Sequence, residues 1–142
     1  MKKLFNIVLI TLLCCLLCGC VSDQNLSNTL WVLEQDPLTG IRFNETNEYE
    51  KFRLILPSDE SDILILFPRA SNKYEIINNE LISYDDNGSF LGKWNITFEN
   101  GKMLIFNETI QKTDLYRKTN KRDLVSYAKS LGYSLEEGGP GA

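Results

Sequence analysis

Residues 91–106, LGKWNITFENGKMLIF, decide how the chain folds. Asn100 and Gly101 join two runs that are rich in β-branched and aromatic residues. A type I′ turn needs positive φ at both central positions, and the Asn-Gly pair is well suited to this conformation. A two-residue loop at this place sets Ile96 opposite Ile105, so the apolar residues of both runs share a face. The stretch therefore predicts an antiparallel hairpin.

The same pattern of short apolar runs, separated by Pro, Gly, Asn and Asp, recurs along most of the chain. The predicted strands cover residues 30–34, 49–56, 63–67, 73–77, 81–85, 91–98, 102–106 and 113–118, and residues 41–43 would add a ninth. Because closure of a meander removes exposed strand edges, this order predicts a mainly all-β fold. We expect a small antiparallel up-and-down β-barrel of about eight strands, with a sandwich as the alternative.

One C-terminal α-helix follows the last predicted strand. Asn120 is suited to cap it, and Asp123 lies in its first turn. The apolar stripe of this helix consists of Leu124, Tyr127, Ala128 and Leu131. Gly132 is a natural residue to end it. The stripe predicts packing against the sheet, and binding to a partner is the alternative.

The N-terminus carries the clearest functional signal. Lys2 and Lys3 precede an apolar run over residues 4–17. A helix of that length reaches about 21 Å, which is shorter than a bilayer core of about 30 Å and typical of a signal peptide. Residues 17–20, LCGC, resemble the lipobox of secreted lipoproteins. That resemblance implies cleavage before Cys20 and a lipid on its sulfur, and an uncleaved anchor is the alternative.

These signals predict four segments along the chain. Residues 1–19 form a signal peptide, residues 20–29 hold the lipidated cysteine and a linker, residues 30–132 form the barrel domain, and residues 133–142 form a disordered tail. All four cysteines lie within the first 20 residues, so no disulfide framework is expected. We expect the protein to be anchored in the cell membrane on its extracytoplasmic side.

Charge and composition exclude several functions. The formal net charge is -4, so the chain lacks the basic surplus of a nucleic-acid binder, and it contains no His for catalysis or metal binding. Residues 85–88, DDNG, suggest an EF-hand loop with Gly88 as its sixth residue. Ser83 and Trp94 would then stand at its two key carboxylate positions, so a hairpin turn is preferred. The acidic loop 59–62 is expected to be too solvated for general acid–base work. We predict no enzyme activity, metal site or cofactor.

Three features resemble the small lipocalin-like domains of envelope lipoproteins. Trp31 lies in the first strand, Tyr116 and Arg117 end the last strand, and a helix follows. The resemblance implies that Arg117 covers Trp31 and plugs one end of the barrel. Thr29 stands where that family has Gly.

The resemblance also implies a function, namely binding of a small apolar ligand inside the barrel. The candidate ligand-binding residues are Trp31, Tyr74, Trp94, Phe98 and Tyr116. The alternative is a barrel filled by its own side chains, in a non-catalytic structural or protein-interaction lipoprotein. The sequence does not identify a protein partner.

Asn-x-Ser/Thr triplets are more frequent than the composition of the chain would produce by chance. They begin at Asn25, Asn44, Asn87, Asn95 and Asn107. These residues are candidate glycosylation sites on an exported surface. The alternative is an Asn- and Thr-rich β protein without glycans.

Overall fold

Eight consecutive strands form a closed antiparallel barrel in the computed structural model, which describes residues 25–138. The strands are β1 (Thr29–Leu33), β2 (Thr39–Phe43), β3 (Glu48–Ile55), β4 (Ile63–Ile77), β5 (Glu80–Tyr84), β6 (Phe90–Glu99), β7 (Lys102–Asn107) and β8 (Lys112–Thr119). Each pairs with the next along the chain, and β1 pairs with β8 to close the sheet. The predicted all-β barrel with one C-terminal helix is confirmed.

The hairpin that decides the fold has the predicted register. Ile96 pairs with Ile105, and both turn residues have positive φ, 52° at Asn100 and 74° at Gly101. Ile96 is 1% exposed inside the barrel. The turn therefore fixes which face of both strands reaches the core.

Two strands differ from their predicted bounds. β4 is one strand of 15 residues, although the sequence predicted separate strands at 63–67 and 73–77. The segment around Pro68 stays within the strand because a β-bulge interrupts the β3–β4 pairing at this point. A bulge tolerates proline, which has no N–H to donate to the neighbouring strand. β2 is a full member of the barrel. Its Gly40 packs so closely that an added Cβ would lie 2.3 Å from the Phe52 ring.

The hydrophobic residues form two clusters, one on each face of the sheet. The cluster inside the barrel includes Trp31, Phe43, Ile96, Met103 and Tyr116, and Met103 is fully buried. The outer cluster joins Val32, Phe52, Leu54, Leu64 and Leu66 to Leu124 and Ala128 of the helix. The helix therefore packs on the outside of the barrel wall, as predicted.

Helix α1 (Lys121–Ser130) has the predicted ends. The Asn120 side chain accepts a hydrogen bond from the Asp123 N–H at 2.9 Å. At the other end Gly132 has φ of 89°, and the Tyr133 N–H donates to the Ala128 carbonyl at 2.9 Å, which forms a Schellman motif. Leu131 is 45% exposed, so the predicted apolar stripe stops one turn early.

The boundaries of the domain extend beyond the predicted ones. Strand β9 (Ser134–Glu137) pairs in parallel with β4, so these residues are not a disordered tail. Leu26, which lies within the predicted linker, is 2% exposed and packs against the barrel core. Both corrections have the same cause. Each segment is held in place by contacts with a strand or core that is distant in sequence, and its own sequence does not reveal those contacts.

The meander gives the barrel two ends with different connections. At the near end Leu26 enters the fold, and the β2–β3, β4–β5 and β6–β7 turns lie beside it. At the far end lie the β1–β2, β3–β4, β5–β6 and β7–β8 connections. The two ends are also closed differently, since Leu26 is buried at the near end.

Candidate ligand site at the mouth of the barrel

Two of the candidate ligand residues fill the core. Trp31 is 3% exposed, and its ring centroid lies 6.0 Å from that of Phe98. The Trp31 indole N–H donates to the Thr29 hydroxyl at 2.9 Å, so its polar atom is satisfied within the protein. The structure therefore gives Trp31 and Phe98 a packing role.

Tyr74 belongs to an aromatic cluster in the same interior. Its ring lies edge-on to Phe43, with 5.0 Å between centroids, and 6.3 Å from the ring of Tyr49. Burial raises the pKa of the Tyr74 hydroxyl above its usual range. This cluster blocks much of the space that a long apolar ligand would need.

The predicted plug of Arg117 over Trp31 is wrong. Trp31 pairs with Lys118, whereas Arg117 pairs with Val32, and directly opposed residues share a face. Arg117 therefore lies on the outer face of the barrel. The Lys118 ammonium occupies the position that was expected for Arg117, at 6.0 Å from the centroid of the Trp31 ring. The predicted register between β1 and β8 is shifted by one residue, and a shift of one residue moves a side chain to the opposite face of the sheet.

A small space remains within the barrel, which we call the inner cavity. Its volume is about 70 Å³, and Trp94 and Tyr116 are among its lining residues. Ordinary ligand pockets have volumes of roughly 300–1,000 Å³. The inner cavity is therefore smaller than the space that ligands of ordinary size occupy.

Polar groups line one side of the inner cavity. Asp114 lies beside Tyr116, and burial together with the Asp114 charge raises the pKa of Tyr116 to about 12. Lys112 Nζ lies 2.8 Å from Asp114 Oδ1, but this buried oxygen accepts no hydrogen bond within the part of the chain that the structure describes. The pair is thus held by charge rather than by hydrogen-bond geometry.

A larger space opens beside the inner cavity, and we call it the mouth space. Its volume is about 300 Å³, and it is lined by Tyr49, Lys51, Arg69, Asn72, Ser83, Leu91 and Trp94. Ser83 near the end of β5 and Leu91 near the start of β6 flank the β5–β6 connection, which places this space toward the far end. Tyr49, Lys51 and Trp94 also line the inner cavity, so the two spaces are neighbours. Of the candidate ligand residues, Trp94 alone is among those that line the mouth space.

Two β-bulges shape the mouth space. Between the pairs Glu50–Ser71 and Phe52–Pro68, strand β4 has one more residue than β3, and this places Lys51 opposite the Arg69 region. On the other side, Ser83 pairs with Gly92 and Tyr84 with Phe90, which leaves Leu91 as the extra residue of β6. Bulges redirect side chains and recur at barrel rims and beside active sites.

Trp94 forms a wall of both spaces. An added Cβ at Gly92 would lie 3.2 Å from the Trp94 ring, so the glycine lets the indole lie close to the β6 backbone. Lys51 Nζ lies 5.8 Å from the centroid of the same ring, which is within the range of a cation–π contact. This contact holds the ammonium near the border between the two spaces.

Hydroxyl and amide groups complete the lining. The Tyr49 and Ser83 hydroxyls lie 3.0 Å apart in a hydrogen bond, and Ser83 is fully buried. Asn72 is half-buried on the neighbouring strand and pairs with Tyr49. The mouth space thus combines two cations, neutral donors and an apolar wall. Among the described residues that line it, none is acidic.

Sequence reasoning missed all of these polar residues. One signal points to Lys51, because strand alternation places it on the same face as the inward Tyr49. Pro68 and Gly92 lie beside Arg69 and Leu91 and are residues that often mark bulges, but they do not specify the register that the paired strands adopt. The aromatic content of the sequence led to Trp94 but not to its charged neighbours.

The acidic sequence motifs stay outside the site. Asp85 Oδ1 accepts the N–H groups of Asn87 and Ser89, at 2.9 and 2.7 Å, and Gly88 has φ of 82°. The motif is therefore a self-capped turn between β5 and β6. Asp59 and Glu60 are exposed in the β3–β4 loop. Within residues 25–138, no group of three or more acidic or Cys side chains is arranged to hold a metal ion.

The candidate glycosylation residues differ in their surroundings. Asn25 and Asn87 are exposed, whereas the side chain of Asn44 accepts two backbone N–H groups of the β2–β3 turn. Asn95 Nδ2 donates to Glu108 at 2.9 Å, and Asn107 accepts from the Thr109 N–H at 3.0 Å. Asn25 and Asn87 are thus the most accessible of the five, and glycosylation itself stays a prediction.

Cys20 and the predicted signal peptide lie outside the described residues. Over residues 25–138, no helix combines the length and apolar character needed to cross a bilayer. No protein-family model, curated protein or solved structure matches the chain. The lipocalin-like and lipoprotein resemblances therefore stay predictions.

Proposed function

We propose that this protein is a lipid-anchored, extracytoplasmic binding protein without catalytic activity, and that the mouth space binds a small molecule. One observation carries the proposal: an open space with a polar and an apolar side lies toward the far end of the barrel. There, about 300 Å³ remains beside Trp94, bordered by two bulges. That volume is at the lower limit of ordinary ligand pockets, so the ligand is small.

The proposed anchor rests on the N-terminal sequence. A lipobox-like LCGC at residues 17–20 follows an apolar run, and Asn25, the first described residue, comes five positions after Cys20. The barrel itself contains no Cys, and its two hydrophobic clusters hold it together. The domain therefore depends on its hydrophobic core for stability, without the disulfides that many small exported domains contain.

The emission of Trp94 offers a direct test of ligand binding. The full-length chain in a non-ionic detergent would be titrated with small acids, amides, amines and sugars while tryptophan fluorescence is recorded. We expect at least one class to change the emission. Trp94→Phe should abolish this change, while Trp31→Phe, which alters a core residue away from the mouth space, should preserve it.

A binding signal that persists in Trp94→Phe would place the ligand elsewhere and contradict the proposal. Failure of every compound class to change the emission would also contradict it. The melting temperature of each variant shows whether the fold is retained. Trp31→Phe is the variant at risk, since Trp31 is 3% exposed.

A second candidate function is binding of another protein at the far end. Phe90 is 62% exposed at the start of β6, and Ile110 is 61% exposed in the neighbouring β7–β8 connection. Large exposed apolar residues at one end of a domain favour an interaction surface. In that case Phe90→Ser and Ile110→Ser would release a partner that Trp94→Phe retains.

A further inference from the structure

We infer that the ligand of the mouth space is a small organic anion, a carboxylate with a short apolar body. This inference rests on the proposed function and names the chemical class of its ligand. It follows from the groups that the two bulges bring together, namely Lys51, Arg69 and Leu91. Each of these residues has a distinct part in recognising such a molecule.

Both cations of the site lack a carboxylate partner among the residues that the structure describes. Within residues 25–138, the five ion pairs join Arg42 to Glu50 and Lys93, Lys102, Lys112 and Lys121 to other acids. Lys51 and Arg69 take part in none of them. The Glu50 carboxylate, which neighbours Lys51 in sequence, is already paired with Arg42. The mouth space therefore presents two positive charges that a ligand is free to neutralise.

The shape of the donor groups favours a carboxylate. A guanidinium presents parallel N–H groups that match the two oxygens of a carboxylate, and such charge-assisted hydrogen bonds are about twice as strong as neutral ones. Arg69 supplies this fork, and Lys51 adds a second charge. The Asn72 amide provides a neutral donor in the same lining, and the hydrogen-bonded Tyr49–Ser83 pair keeps one hydroxyl proton that neither residue donates to the other.

The remaining wall fixes the other half of the ligand. Leu91 is 51% exposed because the bulge turns it out of the regular ladder, and it lines the mouth space together with Trp94. An apolar group in contact with both side chains would shield part of this surface from water. The volume of about 300 Å³ leaves room for a single ring or a short chain and excludes a long acyl chain.

Benzoate and benzamide are suitable probes, since they share one shape and differ in charge. Both would be titrated into the full-length chain in dodecyl maltoside, with Trp94 emission and calorimetry as readouts. We expect benzoate to bind at least tenfold more tightly than benzamide. Arg69→Gln should weaken benzoate at least tenfold, and Arg69→Lys should recover part of that loss because it restores the charge without the fork.

Arg53→Gln is the matched control. Arg53 lies two positions after Lys51 on the same strand, is exposed, and is not among the residues that line the mouth space. It removes the same charge from the chain, so a general electrostatic effect would weaken benzoate equally in both variants. Because Arg53 and Arg69 are both exposed, neither substitution is expected to unfold the barrel.

The outcomes separate this inference from the proposed function. Equal binding of benzoate and benzamide, or equal effects of Arg69→Gln and Arg53→Gln, would overturn the anion class. A Trp94-dependent signal for other compounds would then still support a binding protein. No signal from benzoate, together with none from amides, amines or sugars, would overturn both.

Discussion

Tyr116 shows how one residue makes the barrel sensitive to alkaline pH. It is 7% exposed, and burial beside Asp114 raises its pKa to about 12 from a reference of 10.0. Between these values the unfolded chain loses the phenolic proton while the folded barrel retains it. The free energy of unfolding therefore falls as pH rises through this window, and the contribution of Tyr116 is complete only below about pH 10.

We predict that Tyr116→Phe flattens this pH dependence. One pKa unit corresponds to about 1.4 kcal/mol, so the residue should account for roughly 2–3 kcal/mol of the stability lost between pH 10 and pH 12. Urea unfolding at about pH 9 and about pH 11 spans half of this window, so about 1.4 kcal/mol of the difference should appear. Tyr127→Phe, on the half-exposed helix face, serves as the control. An unchanged slope in Tyr116→Phe would contradict the assignment.

Gly40 is required for packing rather than for its backbone angle. An added Cβ would lie 2.3 Å from both the Phe52 ring and the Trp31 carbonyl oxygen, so the β1 backbone and the outer cluster would have to move. We predict that Gly40→Ala lowers the free energy of unfolding by about 1–3 kcal/mol, the usual effect of overpacking. Thermal or urea denaturation tests this. A loss below about 0.5 kcal/mol would show that the site relaxes freely.

At the scale of single elements, helix α1 depends on its cap. Asn120 lies in extended conformation and accepts from the Asp123 N–H, while Leu124 and Ala128 hold the helix to the outer cluster. We predict that Asn120→Ala destabilises the protein by about 1 kcal/mol, and that Asn120→Asp retains most of the stability. Urea unfolding of both variants measures this. Equal losses would indicate that the cap is not the cause.

Strand β9 covers part of the β4 edge that lies beyond β5, because β5 pairs with residues 73–77 of β4 and β9 pairs with residues 63–66. Leu135 packs partly against the outer cluster, and Glu137 pairs with Lys121 at 2.9 Å. This pairing lowers the pKa of Glu137, so its contribution is lost as pH falls through that lowered value. We predict that Leu135→Asp speeds hydrogen exchange of the Ile63–Leu66 amides, and exchange mass spectrometry measures this. Unchanged rates there would show that β9 does not protect β4.

Local sequence signals were sufficient to predict the elements whose structure depends on residues close to them in sequence. The Asn100-Gly101 turn and the Asn120 cap act within a few residues, so the hairpin and the helix were correctly predicted. The merged β4, strand β9 and the reversed faces of Arg117 and Lys118 depend on partners distant in sequence. Their signals appear only after the strands pair.

The candidate site was predictable only in part for the same reason. Trp94 was identified because large aromatic residues are conspicuous in the sequence. Arg69 and Leu91 reach the mouth space through register shifts, and Pro68 and Gly92 beside them suggest bulges without giving the size or direction of the shift. Composition therefore predicted an apolar interior, while the paired strands place two cations at its opening.

At the scale of the whole molecule, the proposed anchor makes a clear prediction. Cys20→Ser removes the sulfur that would carry the lipid, so the protein should leave the membrane fraction or accumulate with an uncleaved N-terminus. Cys18→Ser retains a small residue before the proposed cleavage site and should behave as the natural chain. Membrane fractionation and intact mass measure both variants. Unaltered attachment in Cys20→Ser would contradict the lipoprotein assignment.

The burial of Leu26 at the near end has a consequence for orientation. With the lipid at Cys20 that we propose, the five residues to Asn25 span at most about 18 Å, whatever their conformation. This short tether attaches to the near end of the barrel, and the mouth space with Lys51 and Arg69 lies toward the far end. The near end of the barrel would thus face the bilayer and the mouth space would face away from it. Small solutes would then reach the site from the aqueous side while the lipid stays in the membrane.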